Sequence, residues 1–390
     1  MNRSLQYSTK DYWLNFFLIA FFIFPQSEVL YYAVPIGMFA LTDWRKQTSD
    51  SLMLFVWLII FLLGASLLVN ISQSWVDAKS YLKAIQFIVC LLSFGRLKSL
   101  RIMKGTLVFL VFYLAIFQFA GVFNISAINN LSSILYPLTD KTEAVFESVS
   151  EMEMSGIGYN TRLFGIYRNS NNCALYWEIL LLLLISERDI LYQKRKDSIL
   201  YIALLLFSLW GIVAAGSRTS FLVLIAIAVM YFTVSNTRAK FSVLIPLTVF
   251  MAILFIFGRD MRMFQVEEGM SDSFGMKMTI LSRYISTDLD ALSFLFGRFT
   301  TKALVPLLNT MFAGTDCDFG DMFVRYGILS FVAWLSFLIF IFNKIDKNNR
   351  VFFCIFLWIF SNTILVNFRT STILLLVLSI YYSRKQSIIS

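Results

Sequence analysis

Residues 51–69 read SLMLFVWLIIFLLGASLLV, an apolar run without a charge that is close to the roughly 20 residues a helix needs to cross the hydrocarbon of a bilayer. It lacks the in-and-out alternation of a barrel strand, and only structures that close their own backbone hydrogen bonds survive in lipid, so the run predicts a transmembrane helix. Runs of the same kind recur at 12–24, 28–41, 82–95, 105–123, 172–186, 199–215, 219–235, 241–257, 321–342, 351–366 and 372–383. The composition agrees: 58% of the 390 residues are hydrophobic and 17% aromatic, with 41 Phe and five Pro, which no soluble domain matches. The expected fold class is therefore an all-α polytopic membrane protein with about twelve transmembrane helices, forming a single integral membrane domain over residues 1–390.

Lys and Arg outnumber Asp and Glu by 33 to 24. In a membrane protein such an excess is read first as topology, and nucleic acid is not an expected partner. With the N-terminus in the cytoplasm, the short inner segments collect Arg3, Lys10, Arg45, Lys46, Arg96, Lys98, Arg101, Lys104, Arg188, Lys194, Arg195, Lys196, Arg238, Lys240, Lys344, Lys347, Arg350, Arg384 and Lys385. Seven acidic residues, Asp11, Asp43, Asp50, Glu187, Asp189, Asp197 and Asp346, fall inside, and the remaining ones are assigned to the outer face or near it. Both termini then face the cytoplasm. The first span has no small-residue cleavage site after it and reads as a retained anchor. Cys90 and Cys354 fall within spans, where Cys behaves as a small hydrophobe. Cys173 and Cys317 share the outer side, but two solitary cysteines do not establish a disulfide.

Most connections are brief. The two long ones, 124–171 and 258–320, are both assigned to the outer face, and long loops in compact bundles usually carry function. In the first, Asp140 and Glu143 resemble a capping box, followed by Val145, Phe146, Val149 and Met152 at helical spacing, which predicts a short amphipathic helix. In the second, Ile280, Leu281, Tyr284, Ile285, Leu289 and Leu292 fall along one helical stripe with Arg283, Asp288 and Asp290 off it. Two readings of that second amphipathic helix are open: it lies against the membrane or substrate, or it caps the outer end of the bundle.

Between the seventh and eighth spans stands AAGSRTSF, residues 214–221. The gap is a tight turn, so Arg218 sits at an outer interface where a helix opens. Exposed backbone N–H groups, the helix dipole and the Ser217 and Thr219 hydroxyls make the stretch suited to phosphate. The alternative is an arginine that snorkels to water. NTRLFGIYRNSNNCALYW, residues 160–177, brings Arg162 and Arg168 together with Asn160, Asn169, Asn171 and Asn172 before the sixth span. Amides and guanidiniums supply the directional donors that sugars and phosphates need, although the same residues also make an ordinary polar loop. Arg259, Arg262, Arg283, Arg298 and Arg325 are individually weaker candidates. Asp316, Asp318 and Asp321 lead into the tenth span; a carboxylate there suits a general base, with divalent-ion binding by Asp316 and Asp318 as the alternative. Neither metal nor organic cofactor is expected.

Absences narrow the field. The chain has no His, which removes His-based catalysis and zinc sites built on His. It has no P-loop, dinucleotide fingerprint or nucleophile elbow, so nucleotide-driven transport and serine hydrolysis lack support.

Three segments together resemble the O-antigen polymerase and ligase superfamily: Gly216-Ser217-Arg218-Thr219 opening a span, FGIYRNSNNCALY at 164–176, and DCDFGDMFVRYGILSF at 316–331 before a Gly turn. Their order, the span layout and the large outer loop before the late segment also match. The resemblance implies a C-type membrane glycosyltransferase architecture in a bacterial cytoplasmic membrane. It also implies transfer of a glycan from an undecaprenyl-pyrophosphate carrier to a sugar hydroxyl, without a nucleotide. Carried over by motif, Arg218 holds the pyrophosphate and Asp318 lies near the acceptor. By the same resemblance Arg168 lines the donor site with Asn169, Asn171 and Asn172; Arg162, Ser217, Thr219, Arg283 and Arg325 are expected substrate contacts from their residue types and outer-face positions alone. Ligases of the superfamily carry a functional His in the late outer loop, and its absence favours a polymerase. Expected partners are the lipid-linked oligosaccharide, the bilayer, a chain-length regulator and a flippase. A flippase or a scaffold for polysaccharide assembly are the rival classes; the first predicts related halves and midplane charges, the second leaves the outer cations unexplained.

Single cysteines placed at residues 140–165 and 262–315 are expected to react with an impermeant thiol reagent in spheroplasts, and Lys194→Cys is not. Labelling of Lys194→Cys alone would invert the topology.

Overall fold

The structure is a computed structural model, and it describes residues 7–24, 28–45, 49–73, 76–97, 100–122, 125–135, 170–191, 197–215, 220, 223–225, 282, 284–286, 290–300, 318–345 and 368–389. These residues are mostly helical and contain no strand, only an isolated bridge between Thr42 and Leu97. The helices are α1 (Thr9–Ile23), α2 (Glu28–Leu41), α3 (Asp50–Asn70), α4 (Ala78–Ser93), α5 (Lys104–Val122), α6 (Ser126–Leu135), α7 (Ser170–Ser186), α8 (Arg188–Leu191), α9 (Asp197–Ala214), α10 (Ala291–Phe296), α11 (Asp318–Lys344) and α12 (Phe368–Ile389). Among the described residues three helices, Asp50–Asn70, Asp197–Ala214 and Gly320–Lys344, are long and apolar enough to cross a membrane, and α2, α4, α5, α7 and α12 contain shorter apolar helical stretches. The chain is a membrane-type helical protein.

Nine of the expected spans coincide with described helices, α1 to α5, α7, α9, α11 and α12. The expected span 219–235 is described only at 220 and 223–225, which are helical, and 241–257 and 351–366 lie outside the described residues. The amphipathic helix expected at 143–152 lies outside them as well. The stripe expected through 280–292 is corrected. Residues 282 and 284–286 are helical, but Tyr284 is 1% exposed while Ile285 is 52% and Leu292 53% exposed. Asp290, with extended backbone at φ −66 and ψ 157, caps a separate helix, α10, its carboxylate accepting the Ser293 N–H at 2.8 Å, so the helix expected through 292 is not continuous.

The chain divides into two compact units. The first comprises residues 1–30, 101–268 and 347–352, with α1 and α5 to α9 as its described helices. Its α1 starts with a capping box, in which Asp11 N–H donates to Ser8 Oγ and Asp11 Oδ2 accepts from Ser8 N–H at 2.7 Å. The same carboxylate accepts Arg101 N–H at 2.7 Å. One turn on, buried Asn15 donates to the Asp11 and Arg101 carbonyls and accepts Met103 N–H at 2.8 Å. Two short side chains thereby satisfy the backbone that leads into α5, which an apolar environment would otherwise penalise.

Helix α7 is apolar almost throughout, and every side chain from Cys173 to Ile185 is buried, as expected of a helix packed on all faces. It packs against α5 and α9. The close approach of α7 to α9 depends on Gly211, because a Cβ there would run into the Trp177 indole; small residues let helix backbones come together in lipid in this way. Between these helices Gln118 Nε2 donates to the Gly211 carbonyl at 3.0 Å and to Cys173 Sγ at 3.4 Å. Away from this core, Phe109, Phe112, Ile116 and Phe119 of α5 stay exposed at helical spacing, so the outward face is as apolar as the inward one. That is how a helix looks when its solvent is hydrocarbon.

The second unit comprises residues 31–100, 269–346 and 353–390, with α2 from Tyr31 on, α3, α4 and α10 to α12. At one end, Gly95 (φ +74) terminates α4 and donates its N–H to Ser379 Oγ of α12 at 3.2 Å. Beside it, Arg384 Nε donates to the Leu100 carbonyl at 2.7 Å, and Phe94 packs between Phe337 and Tyr382. At the other end, α3 meets α10 and α11.

Gly211→Ala is expected to lower the stability of the purified protein in detergent by about 1–3 kcal/mol through overpacking against Trp177. Gly64→Ala, where a Cβ meets nothing within 4 Å, is expected to be neutral or slightly stabilising. Equal melting temperatures for the two variants would refute the close α7–α9 contact.

Candidate functional site

The late segment singled out in the sequence begins α11, and the structure shows that this helix is broken. Gly327 has φ +74 and ψ 178 inside it, so the bonds that would reach across the break to the carbonyls of Val324 and Arg325 cannot close in helical geometry. These carbonyls are satisfied from elsewhere. Arg298 N–H donates to Val324 at 2.7 Å, and the Arg325 carbonyl accepts both Phe299 N–H at 2.6 Å and Ser66 Oγ at 3.0 Å. Asn70, one turn on from Ser66 in α3, donates to the Gly297 carbonyl at 3.0 Å and to Ser66 O at 2.8 Å.

Two glycines make the approach possible. A Cβ on Gly297 (φ +72) would collide with the Arg325 backbone, and one on Gly327 with the Leu295 carbonyl. Between them, Phe299 has φ +62, an unusual value for a bulky residue. The Thr300 N–H returns to the Arg298 carbonyl at 2.7 Å across it. Backbone of this kind stores of order 1–3 kcal/mol and persists only where its surroundings over-determine it. Here Phe299 is buried and its ring meets Tyr81 and Tyr326.

The result is a turn that carries Arg298 directly beside the chain that carries Arg325, both side chains half-buried. The Arg298 charge lies near the phenol of Tyr284, a buried group that desolvation pushes up in pKa, and Arg325 lies near the Tyr326 phenol. Asp321, one turn before Arg325, is buried. The Asp290 carboxyl is held below the usual carboxylate range by its hydrogen bonds with Ser293 and, less, by the charge on Arg298.

Of the residues expected from the sequence, Arg325 is described with its side chain. Asp318 is the first residue of α11, and Asn171 and Asn172 lie in the first turn of α7; their side chains are outside the description. Arg162, Arg168, Asn169, Ser217, Arg218, Thr219, Arg283, Asp316 and Cys317 lie outside the described residues. Cys173 is a buried free thiol.

The structure adds residues that the sequence reading passed over. Glu178, assigned with the other acidic residues to the outer face or near it, is 0% exposed within α7. A carboxylate in the middle of an apolar run is a signal the sequence did offer, since intramembrane ionisable residues are rare and usually functional. Ser66 and Asn70 gave no such signal, because their role depends on a backbone more than 200 residues away.

Compared with known proteins, the chain matches no family model, no curated protein and no solved structure.

Asp290→Ala is expected to cost about 1 kcal/mol at neutral pH through loss of the N-cap, and Asp290→Asn much less. Because the folded carboxyl pKa is lowered, its ionised form stabilises the fold above the unfolded value of about 4 and loses that effect as the pH falls through the folded value. The gap between wild type and Asp290→Ala should therefore narrow in acid. Identical melting at neutral pH would remove the cap from the account.

Proposed function

We propose that the chain is a membrane glycosyltransferase, a polysaccharide polymerase of O-antigen or capsule type. It transfers a polyprenyl-pyrophosphate-linked glycan onto a sugar hydroxyl of another lipid-linked repeat unit. This reading includes about twelve spans in a C-type architecture, an outer-face site in a bacterial cytoplasmic membrane, and both termini in the cytoplasm. The observation that carries it is the clustering of Arg, Asn and Asp at the openings of spans in the order of the polymerase and ligase superfamily, together with a chain that lacks His.

The chemistry balances with the residues available. The acceptor hydroxyl oxygen attacks the anomeric carbon, the carbon–oxygen bond to the pyrophosphate breaks, and its electron pair remains on the pyrophosphate oxygen. Negative charge grows on the leaving group as the bond breaks, and a fixed guanidinium at Arg218 strengthens its interaction at that moment. Asp318 takes the hydroxyl proton. The pyrophosphate linkage already activates the sugar, so no nucleotide is consumed.

One observation favours a second reading. Broken helices such as α11 recur at the substrate sites of transporters, which keeps a lipid-linked oligosaccharide flippase as the alternative. Cells lacking a polymerase accumulate single repeat units on the outer side of the membrane, whereas cells lacking a flippase retain them on the inner side.

Arg218→Ala, expressed at the normal level, is expected to reduce transfer by about a hundred- to a thousandfold and to leave short chains. Arg218→Lys is expected to restore it in part, because an ammonium cannot reproduce the guanidinium fork. Normal chain length in Arg218→Ala would contradict the reading.

A further inference from the structure

Among the described residues, three cations of the second unit lie over aromatic rings: Arg96 over Trp44 at 5.5 Å, Lys344 over Phe340 at 5.7 Å and Arg384 over Tyr381 at 5.3 Å. Arg384 also donates to the Leu100 carbonyl. Arg96 differs in what else its guanidinium meets. Its Nη2 reaches the Met53 thioether at 3.6 Å, its Nε is buried without a hydrogen-bond partner, and among the described residues no carboxylate pairs with it. A ring face and a sulfur are weak substitutes for the oxygens that a guanidinium ordinarily binds, so an anionic oxygen from outside the chain would improve its surroundings.

We propose that Arg96 and Trp44 form a binding site for the headgroup of an acidic phospholipid of the phosphatidylglycerol type. The backbone holds this pair in place. Gly95, with φ +74, turns the chain out of α4 and donates its N–H to Ser379 Oγ at 3.2 Å, while the Arg96 carbonyl accepts Asp43 N–H at 2.8 Å and Leu97 bridges Thr42. Arg96 is thereby tied both to α12 and to the end of α2, where Trp44 follows. A guanidinium stacked on a ring keeps its N–H groups in its own plane, directed past the ring, which is the geometry that receives two phosphoryl oxygens.

The apolar surroundings select a lipid over a soluble anion. Trp44 is exposed and packs on exposed Phe39 at 4.6 Å, and Ile36 and Tyr32 extend that exposed strip along one face of α2. Trp at such a position marks the depth of the headgroups, so an acyl chain attached to a headgroup at Arg96 has the strip to lie on. Charge agrees as well. The bond between Ser49 and Tyr382 at 3.4 Å and the packing of Phe340 on Phe55 bring the start of α3 to the ends of α11 and α12, so Arg45, Arg96, Lys344 and Arg384 share this end of the unit. Its described carboxylates are Asp43, whose Oδ1 accepts Arg45 N–H at 3.3 Å, and Asp50, the first residue of α3. The excess is positive, as expected of a surface that meets anionic lipid. The inference needs the membrane character of the chain and is independent of the polymerase reading.

The test uses the full chain, purified in a neutral detergent and supplied with phosphatidylglycerol or with phosphatidylcholine of the same acyl chains. Bound lipid is counted by native mass spectrometry. Wild type is expected to retain phosphatidylglycerol in preference to phosphatidylcholine. Arg96→Gln is expected to weaken the tightest phosphatidylglycerol equivalent about five- to tenfold, the share of one cation beside an anionic headgroup. Arg96→Lys keeps the charge and should weaken it less. Trp44→Leu should weaken it with every cation still present, and it changes an exposed side chain, so the fold is not at risk. Arg45→Gln, which removes an exposed charge at the same end, should leave it unchanged. Undiminished retention in both Arg96→Gln and Trp44→Leu would overturn the proposal. Equal losses in Arg96→Gln and Arg45→Gln would do the same, since net charge and not a site would then hold the lipid. Displacement of phosphatidylglycerol by millimolar inorganic phosphate would also overturn it, in favour of a soluble anion.

Discussion

Hydrocarbon offers no hydrogen bonds, so a chain that enters it must satisfy each backbone N–H and C=O from its own groups. Regular helix does this over most of the described chain, and the informative places are those where helix stops. At the start of α1, Asp11 and Asn15 serve the backbone around Arg101 and Met103. At the break in α11, the α10 turn and Ser66 serve the carbonyls of Val324 and Arg325. Irregular backbone is tolerated in a membrane protein when it is enclosed by protein or lines a cavity, and the side chains that serve it here, Asp11, Asn15 and Ser66, are buried.

Close approach of backbones is the second consequence of the same constraint. Apolar burial does little to drive helices together when lipid is as apolar as the partner, so contact depends on packing detail. Gly211 admits the Trp177 ring between α7 and α9, and Gly297 and Gly327 let the end of α10 abut the break in α11. The first contact only packs helices. The second also brings the backbone of Arg298 beside that of Arg325.

Helices were legible in the sequence to the extent that hydrophobic length alone defined them. The span 28–41 coincides with α2, and 51–69 differs from α3 by one residue at each end. The expected span at 82–95 starts late because the polar first turn of α4, capped by Asp77, is not apolar. For the same reason α11 begins at Asp318 and not at 321, and α6, rich in Asn and Ser, was hidden within a loop. The helix expected through 280–292 is not continuous because periodicity cannot see a cap: Asp290, in extended conformation, accepts the Ser293 N–H and a new helix starts at Ala291. At the candidate site, Arg325 was legible as a charge near a span. Its pairing with Arg298 was not, since it arises from hydrogen bonds between distant segments and from a positive φ at Phe299 that nothing in its residue type announces.

The function proposed here requires that a lipid diphosphate be held by fixed cations while a sugar hydroxyl displaces it, with no external energy source. Reconstitution tests this directly. Purified protein in liposomes, supplied only with polyprenyl-pyrophosphate-linked repeat units, should convert them into a ladder of longer glycans and release polyprenyl pyrophosphate without nucleotide. Transfer of unchanged lipid-linked units from one leaflet to the other, with neither a ladder nor released carrier, would contradict the account and identify a transporter.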